Sequence, residues 1–156
     1  MIITLFILPG FWIFGGGKTE DSGQGILVDS DGTAVYGVDV VAYHDLSSGQ
    51  AAVMGQPENS VQWQEATWLF SSQENARKFK DSPENYAPQY GGYCAYAMAD
   101  GKTLKIDPDS WTIRDGKLYL NFDAGVRKKW LGTVSDYISR ADERWPAALE
   151  KLKSAQ

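Results

Sequence analysis

Few side chains in this chain could do chemistry: one cysteine, one histidine and a nearby methionine. Cys94 and Met98 are four residues apart, so on a helix both sulfur atoms would lie on one face. His44 is the only histidine. Thiolate, thioether and imidazole groups together suit Cu(I), because soft ligands select that ion. We therefore expect a soft-metal site, copper first, formed by Cys94, His44 and Met98.

Each of these residues also has an ordinary structural explanation. Free cysteine is among the most buried residue types, and methionine commonly fills irregular gaps in a core. His44 could instead cap a turn or bond to Asp45 or to a backbone carbonyl. A thiol enzyme would need the imidazole within hydrogen-bond reach of the sulfur, and no Cys-x-x-Cys pair is present. We do not expect an enzyme. The alternative to a metal site is a module for an envelope interaction or a small ligand, in which Cys94 is structural.

The residues just before the cysteine are tyrosines and two adjacent glycines. Glycine lets a backbone or a ligand approach closely because it has no Cβ. Tyrosine combines an apolar ring with a hydroxyl group, so such residues can line a polar-rimmed pocket for a small molecule, or can simply pack in the core. The candidate ligand-binding residues are Tyr43, Tyr90, Gly91, Gly92 and Tyr93.

Length and composition favour one globular domain. The 156 residues suffice for one domain of ordinary size and are too few for two. Hydrophobic residues make up 43% and charged residues 22%, which are ordinary values for a folded chain. The formal net charge of −5 argues against nucleic-acid binding, which needs a basic face. The expected partner is a metal ion or a small-molecule ligand, and the sequence identifies no protein partner.

The amino terminus differs from the rest of the chain. Residues 1–14 are almost wholly apolar and are followed by three glycines. This run is shorter than the roughly 20 apolar residues of a spanning helix, and its length suits the apolar core of an export signal. We expect residues 1–17 to be an export signal or a short membrane anchor, residues 18–25 a linker, and residues 26–156 the domain. The domain would then be exported, either periplasmic or anchored to the membrane through residues 1–17 and facing the periplasm.

Local patterns predict several short strands. Val38–His44 has the composition of a strand. Two strands are predicted on either side of the turn Gln64–Ala66. Two more are predicted around Asp115-Gly116, since Asp-Gly readily takes the positive φ values of a type I′ turn.

Helices are predicted around these hairpins. A capping box of Ser71 and Glu74 starts one helix. Asp123 can cap a second and Thr133 a third, and Pro146 suits the first turn of a last helix. The third helix carries an apolar stripe of Val134, Tyr137, Ile138, Ala141 and Trp145. We predict an α+β fold in which a small antiparallel sheet of hairpins packs against several short helices, with a helical carboxyl terminus.

With these elements placed, the sequence resembles the YHS-domain family of small, often exported proteins. The similar stretch runs from about Val35 to Trp145. It is most specific at Tyr86–Ala95, which reads YAPQYGGYCA and is similar to the motif of one exported branch. The resemblance implies the scaffold of that family and a small exported binding domain.

The wider family includes metal-handling domains with two cysteine motifs. An Asp-Pro-x-Cys-Gly-Met turn would fall on Asp39–His44, and a Phe-Cys-Ser-x-x-Cys-x-x-x-Phe helix start would fall on Phe70–Phe79. The three cysteine positions hold Ala42, Ser71 and Asn75. A hydroxyl and an amide are poor ligands for soft metals. The resemblance therefore implies the scaffold without the thiolate metal site, and the single cysteine of this chain lies elsewhere.

Overall fold

The computed structural model of the chain describes residues 25–155. Within this part, four strands form two separate antiparallel hairpins. The first pairs β1 (Gln56–Trp63) with β2 (Ala66–Phe70), and the second pairs β3 (Asp107–Arg114) with β4 (Lys117–Asn121). The predicted α+β class is confirmed, with two small sheets in place of one.

Between residues 25 and 155, five α-helices connect and follow the hairpins. They are α1 (Gln73–Asp81), α2 (Pro83–Tyr86), α3 (Ala95–Met98), α4 (Ala124–Gly132) and α5 (Val134–Ser154). None of the helices in this part of the chain is long and apolar enough to cross a membrane. The predicted export signal or anchor, and all but the last residue of the predicted linker, lie outside the described residues.

Both hairpin turns lie where the sequence predicts them. Gln64 and Glu65 have φ values of 49° and 59°, and Asp115 and Gly116 have φ values of 51° and 74°. Positive φ at both central residues is the mark of a type I′ turn, whose twist matches that of the flanking strands. In each hairpin the residues that flank the turn are paired directly, so the two-residue loops set the register beside the turn. Each ladder then shifts register farther along, between Gln56 and Ser60 and between Asp107 and Trp111.

The segment predicted as a strand, Val38–His44, is not a strand. It contains a tight turn and then the 3-10 turn Ala42–Asp45. The carboxylate of Asp39 accepts hydrogen bonds from the N–H groups of Val41 and Ala42 at 2.9 and 3.0 Å. Such side-chain bonding to the backbone two and three residues on bends the chain. The apolar pattern of the segment reflects burial in the core rather than pairing in a sheet.

Helix α1 is capped by a different serine from the one predicted. The hydroxyl of Ser72 accepts the hydrogen bond of the Asn75 N–H group at 3.1 Å, so Ser72 is the N-cap. The hydroxyl of Ser71 instead donates to the Asp39 carboxylate at 2.6 Å. The predicted capping box was therefore wrong by one residue. The Ser71 hydroxyl is hydrogen-bonded to the Asp39 carboxylate, and the next serine caps the helix.

The carboxyl-terminal helices follow the predicted caps in part. Asp123 caps α4 as predicted, and its side chain accepts from a backbone N–H of the first turn at 2.7 Å. Thr133 precedes α5 without a side-chain capping bond. Pro146 lies inside α5, so the predicted separate last helix was wrong. Trp145 and Ala148 on either side of this proline pack against one core cluster, which offsets the hydrogen bond lost at proline.

Two clusters of buried side chains hold these elements together. The first core cluster joins both hairpins and includes Trp68, Phe79, Cys94, Trp111 and Leu120. The second core cluster is formed by Tyr90, Ala95, Met98, Tyr119, Trp130, Ala141 and Ala148. The predicted apolar stripe of α5 is confirmed, since all five of its residues lie in or against the second core cluster.

We expect Gly92→Ala to destabilise the fold more than Gly116→Ala. Both glycines are in the left-handed region, with φ values of +88° and +74°, where any side chain costs about 1 to 2 kcal/mol. A Cβ at Gly116 would meet nothing within 4 Å, whereas a Cβ at Gly92 would overlap the buried side chain of Val35. This overlap should add about 1 to 3 kcal/mol. Urea unfolding of the two variants measures the difference, and equal losses would contradict the close packing at Gly92.

Candidate functional site

The carboxylate of Asp39 is fully buried and accepts five hydrogen bonds. Its Oδ1 accepts the two backbone bonds from Val41 and Ala42. Its Oδ2 accepts from the Ser71 N–H at 2.8 Å, from the Ser71 hydroxyl at 2.6 Å and from the Asn75 side-chain amide at 2.8 Å. Asp39 takes part in none of the ion pairs found among residues 25–155. Hydrogen-bond donors therefore compensate the buried charge.

The three positions where the family resemblance puts cysteines meet at this carboxylate. Ala42, Ser71 and Asn75 all donate hydrogen bonds to Asp39. A metal site needs converging lone pairs, whereas here N–H and O–H groups converge on an anion. These residues do not fit a thiolate metal centre. Elsewhere in residues 25–155, no group of three or more His, Cys, Asp or Glu side chains could hold a metal ion.

The three residues of the predicted copper site have different surroundings. Cys94 is 1% exposed in the first core cluster, with its Sγ 3.7 Å from Oδ1 of Asn121. Met98 is fully buried in the second core cluster. His44 packs against Tyr86, with ring centroids 5.3 Å apart and the rings edge to face. The structure places Cys94 directly before the short helix that ends at Met98, but each side chain packs in a different cluster.

His44 is a half-buried imidazole. Burial lowers its pKa, and the negative charge of Asp45 opposes that shift. The ring is therefore neutral at pH 7. Its Nε2 is buried and has no hydrogen-bond partner among the described residues. This nitrogen could supply one metal ligand, and the described part of the chain places it in no metal-holding group.

The cysteine belongs to a buried polar contact. Asn121 is fully buried, and its Oδ1 accepts both the thiol of Cys94 and the N–H of Tyr96, the latter at 3.1 Å. The N–H of Cys94 donates to the carbonyl of Leu104 at 3.0 Å. These bonds tie the start of α3 to the end of β4 and to the segment that precedes β3. In this setting Cys94 acts as a small packed side chain with a weak S–H donor.

A recess of about 270 Å³ opens beside residues 86–93, which we call the tyrosine-glycine segment. Its lining includes three aromatic residues from separate elements: Trp63 at the end of β1, Tyr90 in the 3-10 turn Gln89–Gly92, and Trp145 on α5. The polar side chains in its lining are Gln64, Glu84 and Gln89. The recess therefore combines aromatic walls with two amides and one carboxylate.

Tyr90 is held firmly in the wall of this recess. Its hydroxyl donates to Oδ1 of Asp142 at 2.8 Å, and its ring lies 6.1 Å from the rings of both Tyr119 and Trp145. Burial raises the pKa of Tyr90, and the hydrogen bond to Asp142 raises it further. The side chain is therefore a neutral phenol across the physiological range.

The predicted ligand-binding residues divide into two groups. Tyr90 and Gly91 line the recess. Tyr43 donates its hydroxyl to the carbonyl of Pro108 at 2.7 Å, and Tyr93 lies in the first core cluster. Gly92 packs against Val35 and Pro88. The structure thus brings two of the five predicted residues to one cavity and places the other three in packing contacts.

Sequence reasoning did not single out most of the recess. Trp145 was predicted only as part of the α5 stripe, and Trp63 only as the end of a strand. No sequence pattern pointed to Glu84. No local pattern links these residues, since they come together only through the packing of α5 and β1 around the tyrosine-glycine segment.

Removing the Asp39 carboxylate should be costly. Asp39→Ala leaves the buried N–H groups of Val41 and Ala42 and three part-buried donors of Ser71 and Asn75 without their acceptor, and we expect a loss of about 2 to 4 kcal/mol in the free energy of unfolding. The matched change Asp45→Ala removes an exposed carboxylate and should cost less than about 0.5 kcal/mol. Urea unfolding measures both. Similar losses in the two variants would show that the Asp39 network contributes no special stability.

Cys94→Ala separates the packing role of the thiol from a metal-binding role. We expect a loss of about 1 to 3 kcal/mol from the vacated space and an unchanged Cu(I) affinity in competition with a chelator. Ile106→Val, which removes one methyl group from the same core cluster outside the predicted metal site, serves as the control and should cost about 0.5 to 1.5 kcal/mol with an unchanged Cu(I) affinity. A Cu(I) affinity that falls in the Cys94 variant would contradict the structural role and support the soft-metal prediction.

Comparisons with known proteins add no assignment. No protein-family model matches the chain, and no curated protein or solved structure matches it either. The resemblance to the YHS-domain family therefore stays a prediction from sequence motifs, and a function has to be argued from the described residues themselves.

Proposed function

We propose that this chain is a binding domain for a small molecule, and that its binding site is the recess between Trp63, Tyr90 and Trp145. The observation that carries the proposal is the convergence of three large aromatic side chains from three elements on one concave space. Binding sites for small molecules are typically concave and mostly apolar, with a few polar groups that orient the ligand. At about 270 Å³, the recess suits a small ligand.

The wall of the recess is preorganised. Tyr90 is fixed by its hydrogen bond to Asp142 and by its ring contacts. The Leu27 N–H donates to the carbonyl of Gly91 at 2.8 Å, which anchors the same segment from the other side. Groups that are already ordered lose little conformational entropy when a ligand binds, so these contacts favour binding at this place.

A close chain contact also explains the glycine in this wall. A Cβ at Gly91 would overlap the carbonyl oxygen of Gly25, and it would lie 3.2 Å from the Trp145 ring. Glycine thus allows the 3-10 turn to pack directly against the start of the described chain. The same close approach brings Tyr90 and Trp145 to one side of the recess.

Two earlier expectations remain separate proposals. The soft-metal site of Cys94, His44 and Met98 stays a prediction, and the packing contacts of the two sulfur residues favour structural roles for them. Export to the periplasm, or anchoring to a membrane facing it, also stays a prediction, because it rests on residues 1–17. A small-molecule site is compatible with either location.

Fluorine NMR of protein labelled with fluorotryptophan tests the proposal. The probes are choline, its uncharged isostere in which carbon replaces the ammonium nitrogen, and the matching branched carboxylate. We expect at least one probe to shift the resonances of Trp63 and Trp145 saturably. The resonances of the buried Trp111 and Trp130 should stay in place as internal controls. If none of the three probes shifts Trp63 or Trp145, the recess is not a small-molecule site.

A further inference from the structure

We infer that the recess between Trp63, Tyr90 and Trp145 selects a small organic cation, such as an alkylated or quaternary ammonium ion. This inference rests on the proposed function and names the ligand class of the same site. It follows from two features of the lining: its aromatic walls and the sign of its only charge.

The aromatic walls favour a cation with an apolar body. The face of an aromatic ring carries partial negative charge, and a cation over that face is attracted to it. Tryptophan gives the strongest attraction, and two of the three aromatic residues here are tryptophans. Pro88 and Leu149 add apolar surface to the same lining, which methyl groups on an ammonium ion can contact.

The charge of the lining has one sign. Among the described residues that line the recess, Glu84 is the only acidic residue, and none is a lysine, arginine or histidine. The other polar side chains, Gln64 and Gln89, are neutral amides. An anion would meet the Glu84 carboxylate without a compensating cation, so the lining disfavours acids. The net charge of −5 also draws cations toward the protein.

Another depression on the described surface differs from the recess in the charge of its lining. That depression, of about 370 Å³, is lined by Arg114 and Lys117 together with Asp115 and Asp142. Charges of both signs meet there, and no single ligand charge is favoured. Among the described residues that line the recess beside Tyr90, the charged side chain is acidic and the others are aromatic, aliphatic or neutral amides.

The lining also distinguishes an organic cation from a metal ion. Hard metal cations need about six oxygen ligands, and the described side chains of the lining offer one carboxylate and two amide oxygens. An alkylated ammonium ion needs no such set, because it is weakly hydrated and contacts the rings through its methyl groups. The aromatic walls and the lone carboxylate therefore fit an organic cation better than Ca²⁺ or Mg²⁺.

The fluorotryptophan protein tests this selectivity by titration with choline and with its uncharged isostere, which has the same shape. We expect choline to bind at least about fivefold more tightly, as cation–π attraction at a partly desolvated site predicts. The matching carboxylate should bind more weakly than the isostere. The preference for choline should also decrease at high ionic strength, because salt screens the attraction of Glu84.

Two matched variants assign the effect to the recess. Glu84→Gln should weaken choline binding about two- to fivefold and leave the affinity for the isostere unchanged. Glu58→Gln removes an exposed carboxylate from β1, outside this lining, and should change neither affinity. Because Glu84 is itself exposed, its substitution is expected to leave the fold intact.

The outcomes separate the two proposals. Equal affinities for choline and its isostere would overturn the inferred cation selectivity and leave a small-molecule site standing. An equal choline affinity in the Glu84→Gln and Glu58→Gln variants would show that the Glu84 carboxylate does not attract the cation, and would overturn its role in selectivity. If neither choline nor its isostere shifts Trp63 or Trp145, the cation inference fails. If the carboxylate also leaves both unshifted, the proposed function fails as well.

Discussion

A carboxylate that is buried without a cation needs hydrogen-bond donors. In this protein that requirement holds the turn after Asp39 against the start of α1. The five donors to Asp39 come from the turn that follows it and from the residues around the start of α1. An unsatisfied buried charge is far more costly than an unmade neutral hydrogen bond. The turn, the end of β2 and the start of α1 are therefore held in one arrangement, and Ser72 becomes the helix cap because Ser71 is already engaged.

The Asp39 network is also connected along the chain to the proposed binding site. At the positions that resemble the family's cysteines, donors converge on an anion, so this place serves the fold rather than a metal. From the anchored start of α1 the chain continues through α2, which carries Glu84, to the 3-10 turn that carries Tyr90. Trp63 and Trp145 are added by β1 and α5. The most specific sequence motif therefore contributes through its tyrosine and glycine at the recess, while its cysteine packs against Asn121.

Much of the fold could be predicted from local sequence, because its signals are local. Asp115-Gly116 specifies a turn by backbone preference alone, and the apolar stripe of α5 specifies a buried helix face. The errors arose where distant contacts outweighed local preference. The valines after Gly37 have the composition of a strand, but hydrogen bonds to the Asp39 carboxylate bend the chain there. Pro146 is typical of a helix start, but α5 continues through it and packs on both sides of it. The recess could not be predicted, since Trp63 and Trp145 are far apart in sequence and line one cavity only in the folded chain.

The most direct test of the account is a crystal structure of the protein with the arsonium analogue of choline, whose arsenic atom can be located by anomalous diffraction. The account predicts an arsenic peak inside the recess, within about 6 Å of the ring centroid of Trp63, Tyr90 or Trp145, and on the side of Glu84. A peak found only elsewhere, or no peak at saturating concentration, would contradict the assignment of the recess as the binding site.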